Sequence, residues 1–370
     1  MPDRTSAVVT TEPRTQNAVA VMTPSWRPGA AARSGLLASG WGNGVGVVIG
    51  AGVLAAVVFA SIAYGSKTID LATVADALVD YDPTNSEHLI IRTLRLPRTL
   101  VGVGVGAALG AAGAVMQGVT RNPLADPGIF GVEAGAGLAV VAGIAVFGVG
   151  SLTGYVWFAF AGAAAASAVV YGLGSLGRGG ATPVKLALAG AAMAALLSSL
   201  TSAVLITDAS TLDRFRFWAV GSLAGRDGTI AIQVLPFLVV GALLALASAR
   251  ALNVLALGED VARALGQRTG LARGVSASAV VVCSGAAVAA AGPIGFVGLT
   301  IPHVARAICG PDYRWIVPWS IVLGPVLLLG ADIVGRLVAR PGELQVGVIT
   351  AFIGAPFFIA LVRRRKLAEL

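Results

Sequence analysis

The chain has 370 residues, 56% of them hydrophobic and only 12% charged, with a mean hydropathy of +0.84 and a formal net charge of +8. Soluble domains carry about 25% charged residues, so half that fraction leaves too little polar surface to face water and excludes a soluble globular protein. The positive balance would suit a nucleic-acid partner, but here the charges lie between apolar runs and topology accounts for them.

Residues 1–44 are rich in Pro, Thr, Arg and Gly and read as a disordered tail. The first apolar stretch begins at Val45, too far from the start for a cleaved signal segment. Uncharged runs follow at 45–64, 99–120, 186–207, 228–249 and 344–362, each long enough for one crossing, and 315–331 can extend past Asp332. Residues 128–177 hold one charge, Glu133, over two crossings that turn near Gly148 to Gly154. Residues 274–305 carry no Lys, Arg, Asp or Glu. As one helix they would be ~48 Å long against a hydrocarbon core of ~30 Å, so the run must break, and Gly292-Pro293 supplies the break. The expectation is an all-α integral membrane protein of ten transmembrane helices. An even number puts both termini on one side. Placing them in the cytoplasm sets Arg121, Arg178, Lys185, Arg250, Arg263, Arg268, Arg273, Arg306, Arg314 and the tail arginines inside, as the positive-inside rule asks. The domain reading is a cytoplasmic tail over 1–44, a ten-helix domain over 45–365 with a cytoplasmic loop at 250–273, and a cytoplasmic end at 366–370.

Along the second span Gly102, Gly106, Gly110, Ala114 and Gly118 recur every four residues as a ridge on which backbones can approach closely. The same string is no dinucleotide fingerprint, because it lies inside a span, and no GxxxxGK[ST] loop occurs anywhere. The chain therefore does not bind ATP by that route. The two histidines and two cysteines show no metal-ligand spacing, and no nucleophile triad is present. No carboxylate stands at mid-membrane, where a proton-coupled carrier would need one. Glu133 falls in the first turns of the third span, where the helix dipole favours an anion.

The stretch MQGVTRNPLADPG interrupts the apolar pattern at 116–128. Gln117 sits near the end of the second span and Arg121 meets the interface. Asn122-Pro123 is a turn starter, and Asp126-Pro127-Gly128 reads as an N-cap with proline in the first turn of the next span. By spacing alone this is a short helical hairpin. In the 250–273 loop, Glu259 and Asp260 suit a helix N-terminus, Val261 and Leu265 share a face, and Gly266 suits the stop. Such a helix could lie on lipid headgroups. Arg95 and Arg98 precede the second span and Arg336 follows the ninth; snorkelling to the interface accounts for them, and Asp332 and Arg336 are spaced to pair.

The spelling adds more. RLPRTLVGVGVGAALGAAGAVMQGVTRNPLADPGIFGVEAGAG, FWAVGSLAGRD, LGEDVARALG, GPIGFVGLTIPHVARAICGPDYR and GADIVGRL…GELQVGVITAFIGAPFF occur in order across 45–365. Together they resemble the FecCD-type permeases, which import ferric siderophores, haem and cobalamin with ATP-binding cassette partners. Two positions depart from the family pattern: Gln345 stands where proline is usual before the last span, and Glu133 where a small polar residue is usual. The resemblance implies a ten-helix permease fold of the vitamin B12 and ferric-siderophore type in a prokaryotic cytoplasmic membrane. It implies a second permease subunit, identical or paralogous, and two ATPase subunits that bind ATP and Mg, the chain itself having no cofactor. It also implies an extracytoplasmic substrate-binding protein. Residues Gly258, Glu259, Asp260, Val261, Leu265 and Gly266 then form the coupling helix to the ATPase, and Arg95, Arg98 and Arg336 meet glutamates of the binding protein. The pathway runs along the fifth span, lined by Ser198, Ser199, Thr201 and Ser202, with neighbours in the third, eighth and tenth. These hydroxyls could equally bond between helices. Gln117, Arg121, Asn122 and Pro123 mark the inner face. The cargo implied first is a ferric siderophore, ahead of haem or cobalamin. The alternative from another class is an ion- or proton-coupled carrier working without ATPases.

Overall fold

The computed structural model describes residues 36–37, 40–176 and 182–363, so the expectations for most of the 1–44 tail, for Arg178 and for 366–370 lie outside the described residues. Everything described belongs to one compact unit, Ser34–Leu370. In chain order the helices are α1 (Gly40–Ala63), α2 (Leu71–Val79), α3 (Ser86–Leu89), a π-helical turn (Ile90–Arg95), α4 (Leu96–Thr120), a 3-10 turn (Pro127–Phe130), α5 (Val132–Phe147), α6 (Leu152–Ser175), α7 (Pro183–Thr207), α8 (Ala209–Ala219), α9 (Gly228–Ala256), α10 (Glu259–Ala264), α11 (Thr269–Ala291), α12 (Val297–Cys309), α13 (Tyr313–Val338) and α14 (Val346–Arg363). No strand occurs among the described residues. Seven helices are long and apolar enough to cross a membrane, while α5, α12 and α14 are shorter apolar helices. The ten apolar segments of the sequence are thus all helical, and seven meet the length of a full crossing.

Helix α4 is the axis of the bundle, because its glycines leave room for other backbones. A methyl group at Gly106 would lie 2.6 Å from the Pro325 Cα of α13, and one at Gly113 would strike the Gly298 carbonyl of α12. Close backbone approach replaces side-chain interdigitation here. The expected ridge is therefore a packing seam.

Several boundaries differ from the reading by hydropathy. Helix α1 starts at Gly40, so 40–44 are helical, with Asn43 buried. Helix α9 runs on to Ala256 and α11 begins at Thr269, which shrinks the 250–273 loop to a link around α10. The Gly292 break is present: Gly292 takes φ 77°, and the Ala291 carbonyl accepts from the Ser222 N–H at 2.7 Å instead of continuing the helix. Helices α2 and α8 were not anticipated, since the charges of 208–216 mask helix α8 from a hydropathy scan. Its signal was local: Asp208 caps it by accepting from the backbone N–H of Ser210 and Thr211.

Candidate functional site

The signature stretch folds in two parts. At the end of α4, Arg121 takes the left-handed conformation (φ 49°), its N–H donates to the Gly118 carbonyl, and the Asn122 N–H reaches back to the Gln117 carbonyl at 3.2 Å. This is a Schellman stop with arginine where glycine is usual. The Asn122 side chain then accepts from the Leu124 N–H across Pro123, closing the turn. Gln117 is buried within α4; it donates to the Leu299 carbonyl at 3.2 Å and accepts from the Arg306 guanidinium at 2.7 Å, tying α4 to α12. The second part corrects the expected hairpin. Asp126 caps the 3-10 turn Pro127–Phe130, not the next long helix, which starts only at Val132 after Gly131 (φ 71°). Pro127 and Phe130 are buried, so the chain passes back into the bundle as irregular backbone before α5 begins. Such backbone is tolerated at membrane depth only where protein or a cavity surrounds it.

Beside the same end of the bundle lies α10. Gly258 enters it at φ 109° and Gly266 leaves it at φ 80°, conformations that side chains disfavour. The Gln267 N–H closes the stop on the Ala262 carbonyl. Ala262 is buried, whereas Val261 and Leu265 share an exposed face, 47% and 65% accessible. Glu259 accepts from Arg273 at 2.7 Å and Arg263 at 2.6 Å. The Arg273 bond, followed by the charges of Arg273, Arg263 and Arg121, holds its carboxyl below the usual carboxylate range against partial burial. Asp260 forms no ion pair among the described residues. A methyl at Gly258 would sit 4.0 Å from the Arg121 guanidinium, so the signature turn and α10 are neighbours.

At the opposite end, the three arginines expected to face a partner are turned inward. Arg95 is 5% exposed and donates to the carbonyls of Ile62, Ala63 and Lys67, capping the orphan carbonyls at the end of α1. Arg98 forks onto Asp332 at 2.7 and 3.1 Å and reaches Glu343 at 2.7 Å. Arg336, 2% exposed, bonds Asp332 at 3.0 Å together with the carbonyl and hydroxyl of Ser61. This corrects the idea of freely presented guanidinium groups: each is engaged within the chain, where it locks α1, α4 and α13 together. The three do border a cleft of about 310 Å³ with Lys67, Arg226 and Glu343. Arg226 is 4% exposed, donates through Nε to the Ser222 carbonyl at 3.1 Å, and is pushed down to about 10 by burial.

Between α5, α7 and α8 runs a groove of about 450 Å³. Ser198, Thr201 and Ser202 line it from α7, Glu133 and Gly137 from α5, Phe215 and Trp218 from α8, and Pro293 from the break before α12. Ser199 is not among them; its hydroxyl donates back to the Ala195 carbonyl at 2.8 Å. No described residue of α14 lines the groove either, and the aromatic wall from α8 was missed. No group of three or more metal-ligating side chains occurs among the described residues, and both cysteines are free and buried.

The model of the FecCD transport family matches residues 53–364. The chain belongs to the FecCD transport family. It is 46% identical over 308 residues to the iron(3+)-hydroxamate import system permease protein FhuB of Bacillus subtilis, covering 83% of this chain and 80% of that one. It is also 46% identical over 306 residues to the ferric enterobactin transport system permease protein FepD of Escherichia coli, covering 82% and 91%. Among solved structures, an inward-facing metal-chelate type ABC transporter superposes with a TM-score of 0.75 at 28% identity, covering 86% of this chain and 98% of that one. As a member of this family the chain is a multi-pass membrane transport subunit.

Proposed function

We propose that this FecCD family member is the permease subunit of an ATP-binding cassette importer that carries a metal chelate, a ferric siderophore ahead of haem or cobalamin, across a prokaryotic cytoplasmic membrane. The observation that carries this reading is helix α7. Only 6% of its span window is buried, yet it turns Ser198, Thr201 and Ser202 into a groove shared with Glu133. A helix facing lipid gains nothing from such hydroxyls, whereas a second permease subunit, identical or paralogous, closes the groove into a path.

All ten apolar helices cross the membrane, with both termini and the signature turn in the cytoplasm. The short α5 is completed by the buried 3-10 turn, which supports this count. Helix α10 presents Val261 and Leu265 to one of two ATPase subunits, flanked by Asp260, and Glu259 anchors it to the bundle. ATP and Mg are bound by those subunits, and the chain itself holds no cofactor. The substrate-binding protein docks over the cleft at the arginine end, whose walls Arg95, Arg98 and Arg336 hold in place. Alternating access follows when ATPase closure moves α10 and, through Arg121 and Gln117, the inner ends of α4 and α12.

Reconstitution in liposomes with the cognate ATPase and binding protein tests this. Uptake of radioactive iron chelates should require both partners and ATP. Uptake that persists without the ATPase and follows a proton or sodium gradient would instead establish a secondary carrier.

A further inference from the structure

The groove has a sign. Glu133 lines it, yet no hydrogen bond or ion pair engages its carboxylate among the described residues. The charged group near enough to act on it is Asp126, a second carboxylate. On its other side Glu133 borders a water-sized void with Asp126 and Ser284. Among the described residues, no lysine or arginine lines the groove. The other polar side chains among its lining residues are Ser198, Thr201, Ser202 and Trp218, the last with an indole N–H that has no hydrogen-bond partner among the described residues. The aromatic wall pairs Phe215 with Trp218, ring centroids 5.6 Å apart, and aromatic faces carry negative quadrupole potential that attracts cations. The carboxylate and the π-faces favour a positive or neutral guest over an anion, while the hydroxyls, donors and acceptors at once, accommodate either. Glu133 lies in the first turn of α5, where the helix dipole favours an anion, but its side chain caps no backbone N–H and bridges no ion pair among the described residues.

We infer that Glu133 makes the groove selective by charge, so that the chain passes ferric chelates of positive or neutral net charge, such as trihydroxamates, and rejects polyanionic ones such as tricatecholates. The inference rests on the importer reading above and sharpens it. The two relatives of equal identity are named for hydroxamate and enterobactin cargo, so overall likeness does not choose between these chemistries.

The test is Glu133→Cys in the complete transporter, treated with methanethiosulfonate reagents of similar size that carry either a sulfonate or a quaternary ammonium. The wild-type chain, whose two cysteines are buried, is treated in parallel. Import of a ferric trihydroxamate bearing a free ammonium is then measured with the same binding protein and ATP, so that the binding protein's own preference cancels between adducts. The sulfonate adduct should import at least about tenfold faster than the ammonium adduct, the scale of one charge acting across a few ångströms in a partly desolvated site. Glu133→Gln, which keeps shape without charge, should fall between them. Equal rates for the two adducts, a faster ammonium adduct, or a cysteine that neither reagent reaches would overturn the inference. A wild-type complex that moves only the tricatecholate would overturn it while leaving the importer reading intact. A complex that moves neither chelate, nor haem nor cobalamin, removes the importer reading itself.

Discussion

Helices α4 and α7 are both rich in small residues, yet 78% of the span window containing α4 is buried and only 6% of that of α7. Hydropathy cannot separate them, since both windows average 1.8. Their small residues do different work. In α4, glycines are placed where the backbones of α12 and α13 press against them, and the helix ends are pinned by buried arginine and glutamine bonds. In α7, the hydroxylated small residues Ser198, Thr201 and Ser202 face open space. The lesson is that a stripe of small residues becomes a seam or a path according to whether another backbone fills it.

The sharpest way to break the α4 side is Asp332→Ala. It strips the shared anion from both arginines; Arg98 keeps Glu343, whereas the buried Arg336 is left without an ion-pair partner among the described residues. A loss of about 3–5 kcal/mol is expected, read as a collapse of thermal stability in detergent; an unchanged melting temperature would show that the arginine lock contributes nothing. Gly110→Leu comes next. Its side chain would collide with the Ser320 backbone carbonyl, which cannot rotate away, for a cost of about 3 kcal/mol at the upper end of overpacking. Loss of monodisperse protein on size exclusion checks it.

On the α7 side the expected stability effects are small. Ser198→Ala and Thr201→Ala should each shift stability by less than about 0.5 kcal/mol while changing uptake, so equal losses in both measurements would erase the contrast between the two helices. Glu259→Gln at α10 should cost below about 1 kcal/mol and lower the uptake achieved per ATP hydrolysed. The pH dependence has a defined sign. Arg273, with Arg263 and Arg121, depresses the Glu259 carboxyl, so its anchoring is complete above the ordinary carboxylate range and is lost only as pH falls through that depressed value. The hydrogen-exchange protection of 258–267, taken relative to intrinsic amide exchange at each pH, should therefore be constant from neutral to mildly acidic pH and fall only in strong acid.

Much of the site was legible before any coordinates. The Gly292-Pro293 break, the packing ridge on α4 and the stop at Gly266 rest on local rules of helix length, side-chain size and backbone conformation. The groove positions Ser198, Thr201 and Ser202 were reached through family spelling, and their neighbour Ser199 was carried along because adjacent hydroxyls look alike in a linear string. The three arginines sit at span ends, where local sequence alone points them outward. Their bond partners are distant in sequence, Arg98 to Asp332 and Arg336 to Ser61, and nothing local to RLPR announces them. Helix α8 was hidden by its own charges, and with it the aromatic wall of the groove.

By itself the sequence determined that this is a helical membrane protein of the FecCD family, because apolar run length and motif spelling are properties of consecutive residues. Only the tertiary structure decided that Pro127–Phe130 is buried irregular backbone, that the arginines are locks, and that Glu133 stands unpaired in the groove. Each of these depends on which atoms from remote segments arrive within bonding distance, and in a bundle whose helices are alike in hydropathy that is set by packing alone.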